Sequence, residues 1–173
     1  MFYHYHTDEE IIDQFKKLVD ICVSSDNSYM IQDERWKYST KRALQFSIEP
    51  SNNILNPITS FYKEKVESLT GKKINIGSMW TVYGEENAYH ACHSHLLDDK
   101  DINNLATVLY LEIPQQDLDP GSGALYYFMD GKVEHFYPKK GDFIIFPVGT
   151  YHGTYPQERG LRQTLNMDWI VHN

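Results

Sequence analysis

The sequence predicts a mainly β fold, an antiparallel barrel or sandwich of the jelly-roll kind, with helices before it. Three observations carry this. From Lys73 onward, short segments rich in Ile, Val, Thr, Tyr, Phe and Trp alternate with Gly, Pro, Asp and Asn turns. Two stretches before residue 72 instead repeat their apolar residues at threes and fours. Seven or eight short strands within about 100 residues can remove their exposed edges by closing on themselves.

The first helix is expected from Thr7 to about Val23, where Ile11, Ile12, Phe15, Leu18, Val19 and Cys22 form one stripe and Thr7 with Glu10 can form a capping box. A second begins at Asn56-Pro57 as cap and first position, buries Ile58, Phe61, Tyr62, Val66 and Leu69, and stops at Gly71. Between them, residues 29–50 are ambiguous, with Gln45 to Pro50 resembling a short strand. Strands are then expected at about 74–83, 88–95, 105–113, 124–129, 132–137, 142–146, 149–155 and 162–171, with Asp130-Gly131 as a two-residue hairpin turn. The expected organisation is one domain over 1–173, with 1–72 as helical support and 73–173 as the β core.

The net charge of −8 argues against nucleic-acid binding, which needs clustered Lys and Arg to neutralise phosphates. No apolar run approaches the length of a membrane span, and the opening MFYHYHTDEE lacks the basic-then-apolar pattern of a secretory leader. Two cysteines, Cys22 and Cys92, make no disulfide framework and no CxxC pair. A cytoplasmic location, without nucleic-acid or membrane partners, is the resulting expectation.

Histidines are the informative residues. His93 and His95 stand at i and i+2 on an expected strand, so their side chains share a face, and His152 opens another strand about sixty residues later. If that strand lies across the barrel, three imidazoles cover one face of a metal ion and leave its remaining positions open. An HxH pair alone is weak evidence, since a strand face can carry hydrogen-bonded histidines for other reasons. His4, His6, His135 and His172 have no partner at ligand spacing and are expected to be surface or packing residues.

The order of motifs around these histidines resembles the prolyl 4-hydroxylase-like branch of the 2-oxoglutarate/iron(II) oxygenases, over roughly Trp80 to Val171. Tyr83-Gly84 leads to His93-Ser94-His95, where the family has HxD. Gly121-Ser122-Gly123-Ala124-Leu125 and Pro138-Lys139-Lys140-Gly141-Asp142 before Phe143 to Phe146 match its middle. His152-Gly153-Thr154-Tyr155-Pro156, then Arg162 and Trp169, match its close.

The resemblance implies a double-stranded β-helix, Fe(II) as metal, 2-oxoglutarate as cosubstrate, O2 as co-reactant, and a peptide or small-molecule substrate. The reaction implied is hydroxylation of an amino-acid or peptidyl side chain, prolyl included, with release of succinate and CO2. It assigns the metal and the chemistry to His93, His95 and His152. The far carboxylate of 2-oxoglutarate needs a charged and preferably bidentate donor, which Arg162 provides, with Arg159 as fallback. Thr164, two residues along the same strand, and Tyr110, on a neighbouring one, are expected to add hydroxyls to that carboxylate.

The second ligand position departs from the family, having His95 where a carboxylate is usual. Three outcomes are open: His95 binds, which is preferred; Asp98 or Asp99 swings in as the acid; or a water or chloride completes a two-histidine centre. A cupin-like reading competes, because Gly141 to His152 also fits the spacing of a cupin motif with Pro147 and Gly149 in place. That chain would be a metal-dependent dioxygenase, an isomerase or a small-molecule binder without 2-oxoglutarate. A non-catalytic barrel binding sugar or peptide through Trp80, Tyr83, Tyr89, Tyr126, Tyr127 and Trp169 is a third class. Arg162 discriminates, since only the oxygenase requires it.

Overall fold

The computed structural model describes residues 1–25, 28–30, 40–96, 98–114 and 121–172. Its elements are β1 (Tyr3–His6), α1 (Glu9–Ser24), β2 (Ser28–Met30), β3 (Thr40–Ile48), α2 (Asn56–Thr70), β4 (Lys73–His93), β5 (Leu105–Glu112), β6 (Leu125–Met129), β7 (Lys132–Phe136), β8 (Asp142–Pro147), β9 (His152–Thr154) and β10 (Arg162–His172). All strands belong to one curled antiparallel sheet in the order β1-β8-β5-β10-β4-β9-β6-β7, with β2-β3 attached to β4. It is a jelly roll, a double-stranded β-helix.

The first helix starts two residues later than expected. Asp8 stands at its N-cap, and the Thr7–Glu10 capping box does not form, because the buried Thr7 hydroxyl is paired with the Tyr62 hydroxyl at 2.7 Å. Asn56 likewise is not a cap but the first residue of α2, following a 3₁₀ turn over Asn53–Leu55 that Asn52 caps through the Ile54 N–H. Gly71 closes α2 in the left-handed region at φ 71°, where a residue without a Cβ is least strained. Leu69, placed on the buried stripe by spacing, is 37% exposed in the last turn of the helix.

Strand β1 is absent from the sequence expectation, although Tyr3 and Tyr5 turn toward the core and His4 and His6 outward. It forms because its partner is distant: Tyr3 lies opposite Ile145 and His6 opposite Asp142 on β8. Both His4 (Nε2, 2.9 Å) and His6 (Nδ1, 2.8 Å) donate to one oxygen of the buried Asp142 carboxylate. These two histidines thus have a packing role, as expected. Asp130 and Gly131 both have positive φ, 52° and 75°, as the tight hairpin between β6 and β7 requires.

Residues 74–83 and 88–95, expected as separate strands, form a single β4. Its pairing to β3 jumps from Ala43↔Gly84 to Lys41↔Tyr89, so that 85–88 bulge out around Asn87 at φ 63°. Before the bulge β4 pairs with β10, and after it with β9. The strand therefore carries the chain from one half of the jelly roll to the other and ends on His93, with His95 two residues beyond its end.

Alternation along β5 and β10 separates two interiors. Leu105, Leu109, Leu111, Leu165, Met167 and Trp169 pack against Ile12, Phe15 and Val19 of α1 and Ile58, Tyr62 and Val66 of α2. On the other face Ala106, Val108 and Tyr110 join Leu125, Ile144, Phe146 and Val148 inside the roll.

Candidate active site

A cavity of about 260 Å³ opens inside the roll. His93, His95, His152, Arg162, Tyr110 and Thr164, six side chains from four places in the sequence, all line it.

Cross-strand pairing joins the histidines: His93 and His152 are opposite each other on β4 and β9. His95 reaches them from outside the strand, its backbone N–H held by the Val148 carbonyl at 2.9 Å. One ligand atom of each of the three residues lies within 4.8 Å of the others. Ring centroids are 4.5 Å apart for His93 and His152, 5.0 Å for His95 and His152, and 5.5 Å for His93 and His95. Gly153 lets β9 approach this closely, because a Cβ there would stand 2.3 Å from the Tyr126 hydroxyl oxygen and 2.7 Å from the His90 carbonyl.

Each ring uses its Nδ1 on an outer partner. The Nδ1–H of His93 donates to the Ala91 carbonyl at 2.8 Å and that of His152 to the Thr150 carbonyl at 2.9 Å. Nδ1–H of His95 donates to the Asp168 carboxylate at 2.8 Å. A carbonyl can only accept, so the proton of a neutral ring is on Nδ1 and the lone pair is on Nε2. Burial holds the His93 pKa below its ordinary value, with the Ala91 bond opposing. Burial first, then the neighbouring His95 and His93, push His152 down to about 3. Rings oriented by such outer bonds, with their Nε2 lone pairs left as the ligand atoms, fit a divalent metal of the first transition row.

Arg162 begins β10 and is only 4% exposed. Its guanidinium donates to the Gly123 carbonyl and to Thr154 Oγ1, each at 3.2 Å. No carboxylate pairs with it among the described residues, and burial lowers its pKa. A buried cation without a carboxylate partner is costly, and an incoming carboxylate is the group that would offset that cost. Thr164 and Tyr110 stand opposite each other on β10 and β5, next to it, and the Tyr110 phenol is kept protonated by burial. Arg159 is exposed and does not line the cavity. Asp98 is also exposed, its carboxylate turned to the Lys100 N–H; the side chain of Asp99 lies outside the described residues.

The cavity also contains residues that motif spacing did not single out. Asn166 and Asp168 continue the row of Arg162 and Thr164, so the two-residue period that picked out Thr164 was signal enough to find them. His90, whose pKa burial and the nearby Arg162 push well down, accepts from the Gln45 amide at 3.1 Å; nothing local in the sequence pairs these two. Aromatics proposed as a binding face are dispersed: Trp80 packs edge-on against His95, Tyr83 donates to Asp20 of α1 at 2.8 Å, and Trp169 is buried on the helix side.

Fold and cavity together define a jelly roll whose interior gathers three histidines and a buried arginine around one cavity. Solved structures with this fold include a prolyl-4-hydroxylase of Pseudomonas putida, with a TM-score of 0.73, 14% identity, and coverage of 99% of this chain and 93% of that one. A collagen prolyl hydroxylase of Paramecium bursaria Chlorella virus-1, in complex with 2-oxoglutarate, aligns with a TM-score of 0.68, 17% identity, and 99% and 96% coverage. HygX of Streptomyces hygroscopicus, with nickel and 2-oxoglutarate bound, aligns with 0.70, 11%, and 97% and 82%. No family model and no curated sequence matches the chain. At these identities the likeness is one of fold.

Proposed function

We propose that this chain is an iron(II)- and 2-oxoglutarate-dependent oxygenase that hydroxylates an amino-acid side chain, free or within a peptide, prolyl included. One observation carries the reading: a single cavity contains both the three oriented imidazoles and a buried guanidinium with no acidic partner among the described residues. A cupin-like enzyme or binder that does not use 2-oxoglutarate has no need of such a cation. The solved structures of the same fold with 2-oxoglutarate or nickel bound support the assignment by analogy. Prolyl hydroxylases among them, one in complex with a peptide fragment, support the substrate class in the same way.

His93, His95 and His152 would hold the iron, and Arg162, with Tyr110 and Thr164, would hold the far carboxylate of 2-oxoglutarate. The iron with its cosubstrate supplies oxidative decarboxylation by O2, yielding succinate, CO2 and the hydroxylated product. The protein's own contribution is orientation and dryness. Outer bonds to the Ala91 and Thr150 carbonyls fix two rings, while Trp80 and Phe146 wall the imidazoles from water. Arg162 sets the register of the cosubstrate by meeting its charge with two donors.

Anaerobic titration with iron(II) and then 2-oxoglutarate should develop the weak visible charge-transfer band of the chelate, and a screen of prolyl and other amino-acid peptides should release succinate. His152→Ala should weaken iron binding by at least about 100-fold and abolish succinate release. Undiminished iron binding by that variant would remove the centre from these residues.

A further inference from the structure

Resting on the metal-centre reading above, we propose that Asp168 is a positioning residue which, through His95, returns to the site the negative charge that a carboxylate ligand provides elsewhere. The three outer hydrogen bonds are not equivalent. His93 and His152 donate to main-chain carbonyls, which are neutral, whereas His95 donates to a carboxylate. His95 is also the ligand at the position where the resembling pattern has an acid. The charge absent from position 95 is thus present one imidazole farther out.

The surroundings commit Asp168 to this contact. Its second oxygen accepts from the Ser78 hydroxyl at 3.2 Å, and no Lys or Arg among the described residues pairs with it. The ring of His95 is 9% exposed and the side chain of Asp168 23%, so the pair is largely shielded from solvent. A register shift in the β4–β10 pairing falls at this point: Asp168 is opposite Ser78, and Trp169 opposite Ile76, leaving Gly77 unmatched. Such a bulge re-aims the side chain beside it. Arg162 is six residues away on the same face, about 20 Å along an extended strand, too far to be the partner that Asp168 neutralises.

The physical consequence follows from the shared proton. A carboxylate accepting from Nδ1 increases the basicity of Nε2 and fixes the ring's tautomer and orientation. In formal charge, two carbonyl-backed imidazoles and one carboxylate-backed imidazole leave a divalent ion at the same net charge as two histidines and one carboxylate ligand. The structure thereby explains how a histidine can occupy this position without leaving the site one unit more positive.

Asp168→Asn tests the idea, because the amide oxygen can still accept from Nδ1–H and only the charge is removed. Anaerobic calorimetry with iron(II) should show affinity reduced about 10- to 100-fold, with the thermal midpoint of the metal-free protein unchanged. In a His95→Asp background the same substitution should change affinity little or raise it, since the acid is then inside the site; equal losses in both backgrounds would make Asp168 merely structural. Should the His95→Asp protein not fold, the iron(III)/iron(II) potential decides: Asp168→Asn should shift it positive, and an unmoved potential with unmoved affinity overturns the proposal. Wild-type protein that fails to bind iron(II) would instead overturn the metal centre itself.

Discussion

Strands β5 and β10 have two buried faces, and the two differ in almost every chemical respect. Toward the helices, Leu105, Leu109, Leu111, Leu165, Met167 and Trp169 meet α1 and α2 in an apolar core, within which the Thr7 and Tyr62 hydroxyls pair with each other. Trp169 Nε1 donates to Thr107 Oγ1 at 3.0 Å. Toward the interior of the roll, Arg162, Thr164, Asn166 and Asp168 line an open cavity with three imidazoles, and no carboxylate among the described residues pairs with the cation there. Burial is comparable on both sides, so burial alone does not mark the site. What marks it is chemistry: three imidazoles whose Nδ1 atoms are turned to outer partners, beside a buried guanidinium with no carboxylate partner among the described residues, a charge that is costly to bury until a ligand meets it.

The sharpest way to break this division is to damage the helix side and look for damage in the cavity. Leu165→Ala removes a fully buried side chain and should lower stability by roughly 2–5 kcal/mol in urea unfolding. Iron(II) affinity of the folded protein should not change, and a loss of both would show that the faces are coupled. Acid probes the opposite face. Burial and the neighbouring His95 and His93 hold the folded pKa of His152 at about 3, against 6.5 for an ordinary histidine, so below about pH 6.5 the unfolded chain takes up a proton that the fold refuses. Stability of the metal-free protein should therefore fall as pH drops from 6.5 toward 3. At pH 4 the loss from His152 alone is about 3 kcal/mol, and the depressed pKa of His93 acts in the same direction. His152→Ala should flatten that slope, and an unchanged slope would assign it elsewhere.

A smaller effect separates the two ends of the cavity. Arg162→Met exchanges the unpaired cation for apolar volume and should stabilise the metal-free protein by about 1 kcal/mol. It should also weaken 2-oxoglutarate binding by about 2 kcal/mol while leaving iron(II) binding in the absence of 2-oxoglutarate intact. Equal loss of both ligands would mean that Arg162 supports the whole cavity rather than one carboxylate.

Long, strongly periodic segments were legible. The stripe of Ile12, Phe15 and Val19, the Pro57 start and Gly71 stop of α2, the Asp130-Gly131 turn and the strands from β5 to β10 all follow from local spacing and turn chemistry. Less legible were features whose cause is distant in sequence. β1 exists because Asp142 collects His4 and His6, and Thr7 left its capping role because Tyr62 lies beside it. Gly84 to Ala88 has the composition of a turn yet forms a bulge, because β3 runs alongside and continues to pair beyond it.

The same division runs through the site. Residue type and strand period brought His93, His95 and His152 forward as a set, and the resemblance to the oxygenase pattern gave them the metal and Arg162 the carboxylate. Which acid stands behind His95 was decided only by the fold. Position 168 is 73 residues from position 95, and the two meet because Asp168, beside Ser78 at a one-residue bulge in the β4–β10 pairing, lines the same cavity as His95. No local pattern encodes such a meeting, because it depends on the register between strands, which the packing of the whole sheet determines.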